Sequence, residues 1–262
     1  AVPMVYTSST VTQSVTTVVI RPAVNQQIIG VQIVTTGNAS PLTLTGLDFN
    51  TTGSTSPAAD ISNARVWYTG TSSTFATTTQ FGSDVATPSG AYTVTGSQAL
   101  AEGINYFWLV YDVPLGATVD NLLDAECTSV NVGGAQTPIV TAPAGTRIIK
   151  AALANTYLIG DSQVAPNYTK LTAAIADLNA YGASAAVIFE LQGDYSSSGE
   201  TFPLQINAFP GNSATNTLTI KPKTGVTATV SGSSASGIFV INGADYVTID
   251  GSNGSTVNTV GP

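Results

Sequence analysis

Carboxylates are the only side chains here with the chemistry to move protons near neutral pH. No His occurs among the 262 residues, which excludes a Ser-His-Asp or Cys-His apparatus, a His-ligated metal and an imidazole base. The single Cys, Cys127, excludes an internal disulfide and a Cys-rich zinc or iron–sulfur site. With no base to activate it, Cys127 reads as a buried thiol. Glu190, Asp194 and Glu200 fall close together in sequence, and Asp245 and Asp250 form a second pair. A glycoside hydrolase needs two carboxyls roughly 5–10 Å apart, a spacing that neighbouring coils could supply. Against this, Asp and Asn beside Gly, as in NGAD and GSNG, end strands by bonding their own backbone. Lys221 and Lys223 are the sole lyase-type bases nearby, and their KPK context reads as a solvated turn. Asp120 and Asp124 could share a calcium ion, but no EF-hand loop or glycine-rich nonapeptide repeat occurs, and a surface loop is the reading adopted. No catalytic residue, metal or cofactor is assigned.

The polarity lies elsewhere. The chain has 39 Thr and 25 Ser but only 8% charged residues, with a net charge of −8. An average soluble domain is about 25% charged. Seven Lys and Arg residues are too few to neutralise phosphates, so nucleic acid is excluded as a partner. No apolar run approaches the roughly 18 residues of a membrane span, so no membrane insertion is expected. What remains is recognition by rings and hydroxyls. Trp67, Tyr68 and Tyr92, with Tyr106 and Tyr111 nearby, could stack on a pyranose face, whereas Trp108 is assigned to the core.

The elements that must position these residues are strands. Over residues 1–150, stretches rich in Val, Ile, Thr and aromatics recur between Gly, Pro, Asn and Ser clusters. They predict strands at 12–20, 28–36, 42–49, 64–68, 91–95, 105–113, 124–132 and 146–150. Eight strands in that length point to an Ig-like antiparallel β-sandwich. Residues 105–113 (NYFWLVYDV) are apolar on both faces and belong in mid-sheet. In 64–68, Ala64, Val66 and Tyr68 share one face and Arg65 and Trp67 the other.

Near residue 150 the texture changes. Tyr168, Leu171, Ala174, Ile175, Leu178 and Tyr181 fall at helical spacing, with Asn167 as N-cap and Gly182 as stop. Short β-branched segments follow at 187–192, 204–207, 218–221, 228–231, 237–242 and 246–250. This pattern predicts the first coils of a right-handed parallel β-helix over 151–262, the helix covering its open first coil. The chain is expected to be the N-terminal part of a longer one. Its start at Ala1 fits a mature protein that has lost a secretion signal.

The residues GINYFWLVYDVP (103–114), preceded by SQALAEG and followed by DAECTSVNVGG, together with ADISNARVWYTGTSSTF (59–75), resemble the N-terminal domain associated with BNR-repeat sialidases. The segments NTYLIGDSQ, LTAAIADLNAYG and INGADYVTIDGSNG are similar to the opening of a β-helix in large secreted surface proteins of Bacteroidota. That resemblance implies an extracellular or cell-surface location and export by the type IX route. It carries over no sialidase activity, because no S-x-D-x-G-x-T-W repeat occurs and only Arg21, Arg65 and Arg147 are present. The expected function is a non-catalytic structural or adhesive surface protein whose partners are copies of itself or surface glycans. Val5, Val11, Val15 and Val18 lie in a Thr-rich segment that could add as a strand to a neighbouring copy and build a filament. The alternative is the N-terminal accessory region of a secreted carbohydrate-active enzyme.

Overall fold

Side chains that alternate inward and outward, with Thr and β-branched residues in place of charges, build the first unit almost wholly from strands. The computed structural model describes residues 1–254, in two compact units, Ala1–Ala151 and a second that begins at Ala152. The first contains β1 (Val5–Thr12), β2 (Val19–Arg21), β3 (Ala23–Thr36), β4 (Thr43–Asn50), one helical turn α1 (Pro57–Asp60), β5 (Asn63–Tyr68), β6 (Thr79–Ala86), β7 (Ala91–Ala99), β8 (Gly103–Val113), β9 (Leu122–Leu123), β10 (Glu126–Val132), β11 (Ala135–Gln136) and β12 (Arg147–Ala151). A five-stranded sheet in the order β1-β3-β8-β5-β6 faces a four-stranded sheet in the order β11-β10-β4-β7. A short third sheet runs β2-β12-β9.

The two larger sheets are antiparallel throughout and bury one core between them. Ile29, Val31 and Ile33 of β3 and Phe107, Leu109 and Tyr111 of β8 meet Leu47, Phe49, Cys127 and Val130 of β4 and β10. The unit is a β-sandwich. Both of its open sides are closed. On one side β6 passes β7 where Gly82, at φ +70°, and Gly96 touch, and a Cβ on Gly82 would collide with the Thr95 carbonyl oxygen. On the other, Ile139 N–H donates to Ser9 O at 2.8 Å and Val11 N–H to Val140 O at 3.0 Å, while Cys127 N–H donates to Thr141 O at 3.0 Å. Residues 139–141 thus bond to β1, an edge strand of one sheet, and to β10 of the other, which covers part of the free side of β1.

Several expectations need correction. Residues 12–20 are not one strand: β1 ends at Thr12 and β2 starts at Val19. Between them the carbonyls of Thr17 and Val18 accept from the Arg147 guanidinium rather than from a neighbouring strand. β6 was not foreseen, because TQFGSDVA offers a single buried apolar residue, Phe81. Trp108 is buried, but not between the sheets. Its strand neighbours Phe107 and Leu109 face the core, while Trp108 shares the outward face with its cross-strand partners Gly30 and Trp67. Gly30 is required there, since a Cβ would lie 2.8 Å from Trp108 Cζ3.

The second unit contains β13 (Leu153–Ile159), α2 (Leu171–Tyr181), β14 (Ala183–Leu191), β15 (Leu204–Asn207), β16 (Leu218–Pro222), β17 (Phe239–Asn242) and β18 (Val247–Ile249). Its pairings are parallel, in the orders β13-β14-β16-β18 and β15-β17. The register stacks Tyr157 on Phe189, Phe189 on Ile220 and Ile220 on Ile249. Leu204 and Ile206 stack likewise on Phe239 and Ile241. Residues 228–231 form no strand, although Ala228 and Val230 pack on this core.

The helix starts later than its spacing implied. Lys170 is the N-cap, and Asn167 Oδ1 instead accepts the Leu158 N–H at 2.9 Å. Gly182 ends the helix as expected: its φ is +75°, its N–H donates to Leu178 O, and any side chain there would strike the Pro210 carbonyl. α2 falls in the chain where later passes place β15 and β17. Asn179 makes the contacts a strand would make, its Nδ2 donating to Gln205 O at 2.8 Å and its Oδ1 accepting Asn207 N–H at 2.9 Å. The helix therefore satisfies an edge of β15.

Candidate functional site

The three candidate sugar-stacking rings occupy three different places. Trp67 lies on the outward face of the five-stranded sheet, where its Nε1 donates to Asn25 Oδ1 at 3.2 Å. Tyr92 belongs to the opposite sheet and tilts against Phe49 with centroids 5.7 Å apart. Its hydroxyl donates to that of Tyr111 at 3.4 Å, and burial pushes its pKa well above the usual phenol value. Tyr68 points inward at the end of β5, stacked on Phe107 with centroids 4.6 Å apart and planes 27° from parallel. Its hydroxyl donates to Asn105 Oδ1 at 2.8 Å.

Tyr68 lines an open cleft. The hairpin loop of residues 69–78 arches from β5 to β6 and encloses about 500 Å³ with Tyr68, Thr69, Ser72, Thr74, Thr78 and Thr79 in its lining. A cleft of this size suits a ligand of one or two rings. The loop is anchored by Trp108, whose Nε1 donates to Thr69 Oγ1 at 2.9 Å and whose ring meets the edge of Phe75 at 6.0 Å. Backbone bonds between Tyr106 and the pair Thr69 and Gly70 fix its base. Asn105, which the sequence reading left unassigned, holds the Tyr68 hydroxyl while its amide also bonds both the N–H and the carbonyl of Ala101. Its signal was a lone amide inside an otherwise apolar strand.

A charged knot sits on the outward face. Arg65 bonds Asp84 at 2.7 Å and Asp112 at 2.6 Å. Burial lowers the Arg65 pKa, but the hydrogen bonds and charges of Asp112 and Asp84 outweigh it and the net shift is upward. Asn25, at φ +51°, orients both Arg65 and Trp67 through its Oδ1, and its own N–H is held by Asp112.

The carboxylates of Glu190, Asp194, Glu200, Asp250, Asp120 and Asp124 are engaged in structural bonds, and Asp245 is held through its backbone. Glu200 accepts the Leu171 and Thr172 N–H groups, both at 2.8 Å, and the Tyr195 hydroxyl at 3.0 Å. Asp194 accepts Ser162 Oγ at 2.5 Å and Ser162 N–H at 2.8 Å, and these bonds hold its carboxyl below the usual range. Glu190 accepts from Gln192 at 3.1 Å. Asp250 accepts the Ser252 N–H at 2.8 Å, and the Asp245 backbone pairs with the Asn212 amide. Asp120 pairs with Lys150 at 2.5 Å, and Asp124 accepts the Ala125 N–H while burial raises its pKa. Among the described residues, no three acidic or Cys side chains gather as a metal site. Cys127 is buried in the sandwich core, which pushes its thiol up to about 12.

The four valines of the candidate assembly segment differ in exposure, Val5 being 54% exposed. Val5 and Val11 lie in β1, paired with Thr36 and Val31 of β3, and Val11 is a core residue. Val15 and Val18 lie in the segment between β1 and β2 and are half-buried.

Comparison with known proteins bears on the first unit. No curated protein matches the chain. Among solved structures it is similar to the Hadza microbial sialidase Hz136, at 13% identity and a TM-score of 0.42, covering 52% of this chain and 30% of that one. The chain thus spans less than a third of that sialidase's length. It is over residues 7–136, nearly the whole of the sandwich, that the chain matches the family of the N-terminal domain of BNR-repeat neuraminidase.

Proposed function

We propose that this chain is the non-catalytic N-terminal accessory region of a secreted carbohydrate-active enzyme, with catalysis outside residues 1–254. The observation that carries this reading is the match of residues 7–136 to a domain named for its place beside a neuraminidase. The engagement of Glu190, Asp194 and Glu200 with Gln192, Ser162 and the start of α2 supports it. Those bonds hold the three carboxylates in structural roles, whereas glycoside hydrolysis needs two of them aimed at one bond. The second unit is read as the opening of a right-handed β-helix. Its parallel strands stack in register, and α2 takes the place of a strand in the first pass.

The test is turnover. The purified chain should release no fluorophore from 4-methylumbelliferyl sialoside or from the corresponding galactoside and glucoside. Turnover that disappears in Glu190→Gln or Glu200→Gln would overturn the reading.

A further inference from the structure

We propose that the cleft under the 69–78 loop is a binding site for a neutral glycan, one or two uncharged pyranose residues, with Tyr68 as its stacking surface. This rests on the accessory reading and gives that region its ligand class. The ring of Tyr68 is ordered before any ligand arrives, because Phe107 stacks on it and Asn105 holds its hydroxyl. A fixed aromatic ring loses little conformational freedom on binding. Burial raises the Tyr68 pKa, so the phenol stays neutral at physiological pH.

The walls decide the class of sugar. Besides the Tyr68 phenol, the lining is made of Thr and Ser hydroxyls, Gly70 and Ala76, with no cation or carboxylate. Thr74, Thr78 and Thr79 are exposed where they line the cleft, and a Thr hydroxyl can serve a sugar hydroxyl as donor and as acceptor. A sialylated glycan brings a carboxylate that no group in the lining can neutralise. The guanidinium of Arg65 on the outward face is already paired with Asp84 and Asp112. The chain's net charge of −8 further disfavours an anion. The cleft is therefore selective for glycans lacking sialic acid.

The experiment is titration of the full 262-residue chain with lactose, N-acetyllactosamine, cellobiose, mannobiose and 3′-sialyllactose, followed by calorimetry and by amide shifts in NMR spectra. At least one neutral disaccharide should saturate, shift amides of residues 68–79, and bind 10-fold or more tightly than 3′-sialyllactose. The double variant Thr78→Val, Thr79→Val keeps side-chain shape and should lose at least 10-fold in affinity with an unchanged unfolding midpoint. Tyr68→Phe keeps the ring and should bind within 3-fold. Absence of binding by all neutral probes, equal binding by the Thr variant, or preference for the sialylated probe would overturn the cleft assignment while leaving the accessory reading intact. Hydrolysis of a probe would overturn the accessory reading whatever the binding result.

Discussion

Glu200 caps a helix that begins 29 residues before it: its carboxylate accepts the N–H of Leu171, the first residue of α2, at 2.8 Å. The same carboxylate takes the Thr172 N–H and hydroxyl. Lys170, at the N-cap position, has no side-chain oxygen to offer, and its Nζ pairs with Asp161 at 2.6 Å. An anion at a helix start also meets the positive end of the helix dipole. Glu200→Ala should therefore destabilise the second unit by about 1–2 kcal/mol, the cost of a lost N-cap. Denaturant unfolding should show a lower midpoint for that unit and an unchanged one for the sandwich. Equal stability of variant and parent would mean that the cap contributes nothing.

The contact between sheet edges gives a paired test. Gly82 and Gly90 both have positive φ, +70° and +74°. A side chain on Gly90 would meet nothing within 4 Å, whereas one on Gly82 would strike the Thr95 carbonyl and the Val94 side chain. Gly90→Ala should cost only the backbone penalty of about 1–2 kcal/mol. Gly82→Ala adds a steric clash on top and should cost roughly 1–3 kcal/mol more. Thermal unfolding of both variants decides the matter, since similar losses would show that the edges are not in close contact.

How much of this was legible depends on where each bonding partner lies in the chain. β8 could be read because its nine apolar-rich residues NYFWLVYDV need cover on both faces, and it lies in mid-sheet between β3 and β5. The end of α2 was legible because Gly182 acts locally. Its start was not, because the cap comes from Glu200. The break between β1 and β2 was hidden for the same reason: Arg147 lies 130 residues from Thr17, whose carbonyl it binds. The place of Tyr92 in the opposite sheet was not legible, because strand alternation alone does not say which sheet a strand joins. Alternation did separate Trp67 from Tyr68 correctly, and the 69–78 loop then supplied the cleft that sequence spacing could not reveal.

Cys127 gives a chemical test of the core. Its Sγ donates only to the Ser129 carbonyl, at 3.5 Å, and burial followed by the charge of Asp48 raises its pKa to about 12, the Ser129 backbone acting in the opposite sense. A thiol reagent at pH 8 should leave the native chain unlabelled and modify it fully in denaturant. The folded pKa lies above the unfolded one, so the thiol's stabilising contribution is complete below the unfolded value and is lost as pH rises through about 12. Cys127→Ala should accordingly flatten the fall in stability at alkaline pH. Rapid labelling of the native chain would show that β10 opens locally.

Arg147 is a buried charge whose replacement should destabilise the sandwich. It is 5% exposed, and its partners are neutral: Thr17 O at 2.8 Å, Gln27 O at 2.9 Å, Gln26 Oε1 at 3.1 Å and Val18 O at 3.3 Å. Burial lowers its pKa, but guanidinium basicity leaves ample margin for the charge to persist. The fork thus does for residues 17–18 what a neighbouring strand would do, tying β2 and β12 to β3. A Lys keeps the charge but presents one compact ammonium in place of a planar fork, so several of these carbonyls lose their donor. Each buried acceptor left unsatisfied costs about 1–3 kcal/mol. Arg147→Lys should therefore lower sandwich stability by roughly 2–4 kcal/mol. It should also speed amide hydrogen exchange in β2 and in β3 near Gln27, while β5 and β6 keep their protection. If exchange instead rose uniformly across the sandwich, the guanidinium would be supporting the whole fold and not the 13–18 segment in particular.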